Sequence, residues 1–452
     1  MASGKRTIVF PIETIAREFD GKLLLALVAR ERGWDIVIGN MAANRHMLSH
    51  MPTSVFFAKS ARSTNAHRFA QLKALGHDVV MLDEEALVRQ SDSIYLMKHD
   101  KDPLKNVDLV LTWGPDNTAM WENSGLLDGI HADPVGNPRI DMLRPRLRPF
   151  HEPAIAAIRE RFGDYVLFNS NFATVNNVVS GATRFNLADW VPGEDAAREA
   201  TGLLAHKRTL FERFQALLPR VAEAIAPRHL VIRPHPAEDH AAWHALASDL
   251  ANASVVFEGS VVPWIAGARA LIHNGCTSAV EAAVEGTPVL TYRPVTSEIY
   301  DNPLPNAVGT ECFGDEALLE ALARLLDSGP APLTATQQAL LEHHVALGGA
   351  GLCCDAIMDA IERRGIGRPR EHRTPLGVWL KILVANQRRL LKRRGWRFSS
   401  RNKARAAYRA HKFPGLTAEL ADQRIARFQA VLSRFGGLRA RELRRDVLEI
   451  VG

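Results

Sequence analysis

The segment ALIHNGCTSAVEAAVEGTPVLTY, residues 270–292, decides the fold. Ala270 to His273 is a short apolar run that reads as a strand. It passes through Asn274, Gly275, Cys276, Thr277 and Ser278 into a helix that starts near Thr277 and runs from Ala279 to Glu285. Gly286-Thr287-Pro288 then turns the chain tightly into a second strand, Pro288 to Thr291. Strand, glycine turn, helix and strand form a βαβ unit, and repeated units of this kind build a parallel sheet with helices on both faces.

The same rhythm extends outward in both directions. Upstream lie strands at Tyr165 to Asn169, His229 to Ile232 and Ser254 to Phe257, with a short helix at Val262 to Gly267. A long helical stretch, Leu204 to Ala226, contains Pro219, which is expected to kink or divide it. Nearer the start, strands at Thr7 to Phe10, Asp35 to Ile38, Ser54 to Phe57, Val79 to Leu82 and Leu109 to Thr112 alternate with helices at Glu13 to Arg32 and Thr64 to Leu75. The expected fold class is α/β, with two doubly wound Rossmann-like domains facing a cleft and a basic helical tail. Residues 1–150 form the first domain and residues 154–345 the second, with the boundary near the proline-rich stretch Pro145 to Pro153. Residues 346–452 read as helices, part of which packs against the first domain.

Composition fits this division. The chain has 452 residues, too many for one ordinary domain, and its 46% hydrophobic and 23% charged residues suit a soluble globular protein with two cores. Cys276, Cys312, Cys353 and Cys354 show no CxxC spacing, so a reducing, cytoplasmic setting without disulfides is expected. No apolar stretch is long enough for a signal peptide or a membrane span. The net charge is +6, and the excess is local: no acidic residue falls between Glu371 and Glu419, an interval rich in Arg and Lys. Such a segment either attracts an anionic partner, first an inner-membrane surface, or forms a solvated helical face. It interleaves Trp379, Trp396, Phe398 and Tyr408 but carries no nucleic-acid reading motif, and no nucleic acid is expected as a partner.

In open α/β sheets ligands bind beyond the carboxyl ends of the strands, so polar residues following strands carry the candidate chemistry. Arg233-Pro234-His235-Pro236 is one cluster. The prolines limit where the Arg and His side chains point, and guanidinium with imidazole suits a phosphate. A capping role for His235 and a surface ion pair for Arg233 are the plain alternatives. Asn274, Gly275, Thr277, Ser278 and Glu281 are the second cluster. A helix N-terminus with hydroxyls beside it attracts phosphate, while Glu281 either accepts from ribose hydroxyls or closes a capping box with Ser278. In the first domain, Glu13, Arg17 and Glu18 lie after the first strand. Glu13 and Arg17 fall at i, i+4, as an acceptor-binding pair or a solvated ion pair. Asp83, Glu84 and Glu85 follow another strand, as acid–base carboxylates or as a helix cap from Asp83. The candidate catalytic carboxylates are therefore Glu13, Glu18, Asp83 and Glu84, and Arg17 is the candidate acceptor contact. There is no HExxH, no ligand-spaced Cys/His set, no Walker motif, no GxGxxG and no GxSxG. Neither a metal nor a cofactor is expected.

Longer stretches carry a resemblance. PIETIAREFDGKLLLALVARERGWDIVIGN (residues 11–40), FFAKS (56–60), LKALGHDVVMLDEEALV (72–88), VGNPRIDMLRP (135–145) and KFPGLTAELADQRIARF (412–428) together resemble the bacterial surface carbohydrate biosynthesis protein family. The likeness runs, with gaps, from Pro11 to about Tyr292 and resumes in the tail. RPHP followed by NGCTSAVEAAVEGTPVL is also similar to capsule β-Kdo transferases, to bacterial sialyltransferases with a His-Pro motif and to CDP-glycerol glycerophosphotransferases. The resemblance implies a GT-B fold. It also implies a CMP- or CDP-linked donor, rather than a UDP-linked one, whose phosphate is held by His235, Pro236, Thr277 and Ser278. On this basis the expected function is a metal-independent glycosyltransferase of surface polysaccharide biosynthesis, using a CMP-Kdo-like donor and a glycan or lipid-linked acceptor. The alternatives are a sugar-nucleotide 2-epimerase or polyol-phosphate transferase of the same fold, and a non-catalytic assembly or export factor.

Overall fold

Short apolar runs buried on both faces form the strands of two separate sheets. The computed structural model describes residues 6–48, 51–178, 194–347, 351–370, 372, 374–395 and 412–452. It divides into two units. The first comprises residues 1–86, 98–142 and 343–452, and the second residues 87–97 and 143–342.

The first unit contains β1 (Thr7–Ile12), β2 (Asp35–Asn40), β3 (Val55–Ala58), β4 (Asp78–Leu82), β5 (Leu109–Thr112) and β6 (Ala132–Pro134), and later β13 (Arg439–Arg444) and β14 (Val447–Val451). β7 (Tyr165–Asn169), β8 (His229–Arg233), β9 (Ala253–Val255), β10 (Ala270–His273), β11 (Val289–Tyr292) and β12 (Thr310–Cys312) belong to the second. The first sheet runs β13-β14-β2-β1-β3-β4-β5-β6, and β1 to β6 are parallel. The order reverses between β1 and β3. The second sheet runs β12-β11-β10-β7-β8-β9, parallel throughout, and its order reverses between β7 and β10. Each reversal is a topological switch point, where adjacent connections leave the sheet in opposite directions and open a crevice at its carboxyl edge.

The tail differs from the expectation of helices alone. It ends in the β13–β14 hairpin, and β14 pairs antiparallel with β2, Val447 against Gly39 and Ile450 against Ile36. The approach is so close that a Cβ on Gly39 would collide with the Asp446 carbonyl. Charge periodicity conceals this hairpin, because β13 (RARELR) faces solvent on most of its length. The helix Cys353–Arg363 also belongs to the first unit. Asp141, fully buried, accepts from the Cys353 and Cys354 amides at 2.8 and 2.9 Å, and Trp34 Nε1 donates to Glu362 at 3.0 Å.

The second unit is centred on an aromatic cluster. Phe168 of β7 lies 5.0 Å from Phe214 and 5.3 Å from Trp243, and Phe214 lies 4.9 Å from Tyr292 of β11, centroid to centroid. Phe214 comes from the helix Glu194–Ile225, which runs through Pro219 without being divided. Leu217, Leu218, Val221 and Ile225 on both sides of the proline are fully buried, and their packing holds the helix together across the missing hydrogen bond.

His273, at the end of β10, is fully buried. Its Nδ1 accepts from the Cys276 amide, which leaves the proton on Nε2 for donation to Thr291 Oγ1 at 2.9 Å. The Thr291 hydroxyl in turn donates to the Asn306 carbonyl. Burial pushes the His273 pKa down to about 3, from an ordinary value of 6.5. The unfolded chain therefore takes up a proton below pH 6.5 that the folded chain refuses until about pH 3, and stability falls as pH drops through that window. At pH 5 this one group accounts for a loss of about 2 kcal/mol relative to pH 7. Urea unfolding of His273→Gln should show a correspondingly smaller fall between pH 7 and pH 5 than the wild type.

Candidate functional site

In the second unit the strand-end residues meet around the switch point between β7 and β10. The organiser is Glu238, 1% exposed, three residues after His235. Its Oε1 accepts from Ser170 Oγ at 2.7 Å, the Phe172 amide at 2.8 Å and the His235 amide at 3.3 Å, and its Oε2 accepts from Trp243 Nε1 at 2.8 Å. Burial raises the Glu238 pKa, against the pull of these donors. The carboxyl group thus fastens the ends of β7 and β8 to the aromatic core.

His235 is held by its backbone and leaves its ring exposed. Nδ1 accepts from the Ala237 amide at 3.2 Å, so neutral His235 carries its proton on Nε2. Pro236 is half-buried beside it. Arg233 takes a different part from the one its motif suggests. Its guanidinium is buried between Phe257 and Trp264, Nη1 donating to the Glu258 carbonyl at 2.9 Å and Nη2 to the Gly259 carbonyl at 2.7 Å. Burial lowers its pKa to about 10. The side chain holds the loop after β9, because two backbone carbonyls reach it and a strand-end anion is not required.

The β10 cluster follows its motif more closely. Gly275 has φ +57°, a left-handed conformation that glycine adopts without strain. Its carbonyl accepts from Asn302 Nδ2 at 2.8 Å and Asn171 Nδ2 at 3.4 Å, the latter spanning the switch point. Asn274 is buried and donates to the Tyr292 carbonyl at 3.0 Å, a bond internal to the sheet edge. The helix begins at Thr277 with Cys276 as N-cap, which makes no side-chain capping bond. The capping box of Ser278 with Glu281 is therefore not formed. The helix starts a residue too early for it, and Ser278 Oγ donates to Cys276 Sγ at 3.2 Å. Glu281 is buried one turn in.

In the first unit the candidate residues gather at the ends of β1, β3 and β4, though with other partners than expected. The first helix spans Ile15–Glu31, so Glu13 precedes it and pairs with Lys59 and Lys412 rather than with Arg17. Arg17 lies 3.4 Å from Glu18 and 3.9 Å from Glu85. Glu18, 1% exposed, accepts from Lys22 Nζ at 2.9 Å and from the Glu13 amide at 3.1 Å. Burial opposes its ionisation, but Lys22 and Arg17 prevail and hold its pKa below the usual value. Lys22, 5% exposed, also donates to the Pro11 carbonyl and pairs with Glu84 at 3.3 Å. Its pKa is raised, burial being outweighed by the two carboxylates. Glu84 Oε2 accepts no hydrogen bond among the described residues, with Arg139 Nη1 at 4.0 Å. Asp83 caps no helix. Its Oδ1 accepts from the Glu85 amide at 2.7 Å in a local turn, and Oδ2 lies 3.2 Å from His99 Nε2. Among the described residues no group of His, Cys, Asp and Glu is placed to hold a metal ion.

Residues that sequence reasoning passed over include Lys22, Lys59, Arg139, Ser170, Asn171 and Glu238. Lys22 stands four residues after Glu18, a visible ion-pair spacing, and Asn169-Ser170-Asn171 directly follows a strand.

Comparison with known proteins bears on the fold. The chain matches no family model and no curated protein by sequence. Solved structures do match. The wall teichoic acid polymerase TagF, soaked with CDPG, aligns at TM-score 0.53 and 10% identity, over 82% of this chain and 90% of TagF. A protein named as a UDP-N-acetylglucosamine 2-epimerase of Listeria monocytogenes aligns at 0.51 and 14%, over 83% and 99%. The UDP-GlcNAc 2-epimerase of Methanocaldococcus jannaschii aligns at 0.50 and 13%, over 79% and 99%. The fold is GT-B. Its two Rossmann-like units are those described above, and identities this low speak to the fold alone.

The buried charge cluster of the first unit yields a direct test. Lys22→Met leaves Glu18 and Glu84 buried without their shared cation and should destabilise the protein by about 3–5 kcal/mol. The double variant Glu18→Leu with Lys22→Met should lose less than Lys22→Met alone. Urea midpoints of the two single variants and the double variant give the coupling.

Proposed function

We propose that the protein is a glycosyltransferase of bacterial surface polysaccharide biosynthesis that takes a nucleotide-activated sugar, with a CMP-linked acidic sugar such as CMP-Kdo as first choice. The observation that supports this reading most is the second unit's carboxyl edge. There an exposed His235 with its proton on Nε2 and the uncapped N-terminus of the helix Thr277–Glu285 stand on strands flanking β7. Both are hydrogen-bond donors suited to a phosphate, and a donor nucleotide leaves as one. Thr277 adds a hydroxyl there, while the buried Ser278 hydroxyl is donated to Cys276 Sγ and its amide remains in the first turn. In the first unit, Glu84 is the carboxylate whose Oε2 retains accepting capacity, and Glu13 lies at the switch point between two lysines. These are the groups proposed to meet an acceptor, a glycan or a lipid-linked sugar. Glu18 is proposed as a positioning group, because its lysine and arginine partners make it a weak base.

Thermal denaturation with CMP, CDP or UDP, each with and without magnesium, tests the donor. A nucleotide at about 100 times its Kd adds about 2.7 kcal/mol to stability. CMP or CDP should raise the midpoint without magnesium, and His235→Ala should abolish the rise. A response to UDP alone would favour a 2-epimerase. A folded protein that responds to no nucleotide would sink the donor reading and leave the assembly factor.

The protein is proposed to work in the cytoplasm, against the inner membrane face. No helix among the described residues is long and apolar enough to cross a membrane. The helix Leu376–Gly395, however, exposes Leu376, Leu380 and Val384 at 71, 48 and 49%, one stripe at i, i+4, i+8, within the acid-free segment. An apolar stripe on a basic helix suits the surface of an anionic bilayer. The aromatics Trp396, Phe398 and Tyr408 of that segment lie outside the described residues. In co-sedimentation, the protein should bind phosphatidylglycerol vesicles and not phosphatidylcholine vesicles. Leu380→Asp should weaken binding about tenfold. Equal binding to both vesicle types would refute recognition of the anionic surface, and binding to neither would refute membrane contact.

A further inference from the structure

The helix Glu194–Ile225 carries a lysine in an unusual setting. Lys207 is 7% exposed, and among the described residues its ammonium makes no hydrogen bond and no ion pair. Lysines are almost never buried to this extent without an anion beside them. One carboxylate lies within electrostatic reach, Asp301, and its oxygens are already committed. Oδ1 is 3.0 Å from His206 Nε2, while Oδ2 accepts from Arg293 Nη2 at 2.8 Å and from the Ser297 amide at 3.1 Å. Against burial, these partners hold the Asp301 pKa down to about 2.

The other group within reach of Lys207 is Cys276, the N-cap of the helix Thr277–Glu285. Packing explains the proximity. At Gly202 the long helix presses so closely on Tyr300 that a Cβ would strike the tyrosine hydroxyl, and one turn later His206 binds Asp301. Asn302, the next residue but one after Tyr300, donates to the Gly275 carbonyl at 2.8 Å. The 300–302 segment thus joins the face of the long helix to the turn that launches the nine-residue helix Thr277–Glu285. Two positive features come together there, the ammonium of a lysine that is 7% exposed and a helix N-terminus without a side-chain cap, and among the described residues neither is paired with an anion. Burial pushes the Lys207 pKa down, a penalty that an arriving anion would relieve.

We propose that Lys207 and the first-turn amides at Thr277 and Ser278 form a buried subsite for one phosphate group. The proposal rests on the donor reading above and deepens it. The cation that the sequence offers for this task, Arg233, is spent on the Glu258 and Gly259 carbonyls, and Lys207 takes its place from a helix that no strand-end motif marks. Two sources carry the required chemistry, the phosphate of a nucleotide donor and a free phosphate or pyrophosphate.

Lys207→Met, similar in length and uncharged, provides the test. The wild type and the variant are titrated calorimetrically with CMP, CDP, inorganic phosphate and pyrophosphate, and their ligand-free melting is compared. Loss of the ammonium should weaken the bound species about ten- to a hundredfold. The ligand-free variant should melt at or above the wild-type midpoint, since only an unpaired buried charge is removed. Weakened CMP or CDP binding identifies the nucleotide as the source. Binding of phosphate or pyrophosphate with no response to nucleotides supports the subsite and overturns the donor reading. Wild-type affinity for a nucleotide in Lys207→Met overturns the subsite and leaves the donor reading standing. A variant that melts well below the wild type, or does not fold, also overturns the subsite, because the ammonium would then have a partner within the protein.

Discussion

Parallel strand pairing is the constraint on which this molecule depends. Strands that all run the same way deliver every outgoing connection to one edge of the sheet, and where the strand order reverses, neighbouring connections diverge. Strands β1 to β6 of the first sheet and the whole of the second obey that geometry. In the first, Glu13 follows β1 and Lys59 follows β3, and the two meet across the reversal as an ion pair. In the second, Asn171 follows β7, and its amide reaches the Gly275 carbonyl beyond β10. Polar side chains are thus concentrated at one edge of each unit, while the apolar runs behind them bury both of their faces.

The two edges solve the problem of buried polarity differently. Around Glu238 a single carboxyl group gathers hydroxyl, indole and backbone donors, so the loops of β7 and β8 share one anchor in the aromatic core. Around Lys22 an ammonium is shared by Glu18 and Glu84, and the charges compensate one another. A network of either kind is stabilising only when every member is satisfied, and removal of one member leaves the others desolvated. Groups that retain capacity stand out against this background: Glu84 Oε2, the uncapped amides at Thr277, and the ammonium of Lys207.

Most strands were legible in the sequence because, unlike the edge strands β6 (ADP) and β12 (TEC), which were passed over, they are continuous apolar runs closed by glycine, proline or a polar turn. Val79 to Leu82 and Ala270 to His273 show this most simply. The glycine turn at Gly275 and the helix after it were legible for the same reason. The end of the chain was less so. β13 is mostly exposed and heavily charged, so its alternation carries little hydrophobic signal, and its partner β14 is recognisable only once β2 is seen to need a neighbour. Pro219 does not divide its helix, because helix propensity is local, whereas the packing of Leu217, Leu218 and Val221 that sustains the helix is not.

By itself, the sequence determined the architecture of two parallel α/β units and the strand ends that carry His235, Thr277, Ser278, Glu13 and Glu84. These follow from hydrophobic period and turn chemistry, which act over a few residues. Only the tertiary structure decided what each charge does. Arg233 turned inward to two carbonyls, Glu13 exchanged Arg17 for lysines distant in sequence, and Lys207 came within electrostatic reach of Cys276, about 70 residues away. A side chain's partner is set by desolvation and by whichever opposite charge or dipole the fold brings near, and that proximity is a property of packing that no local pattern encodes.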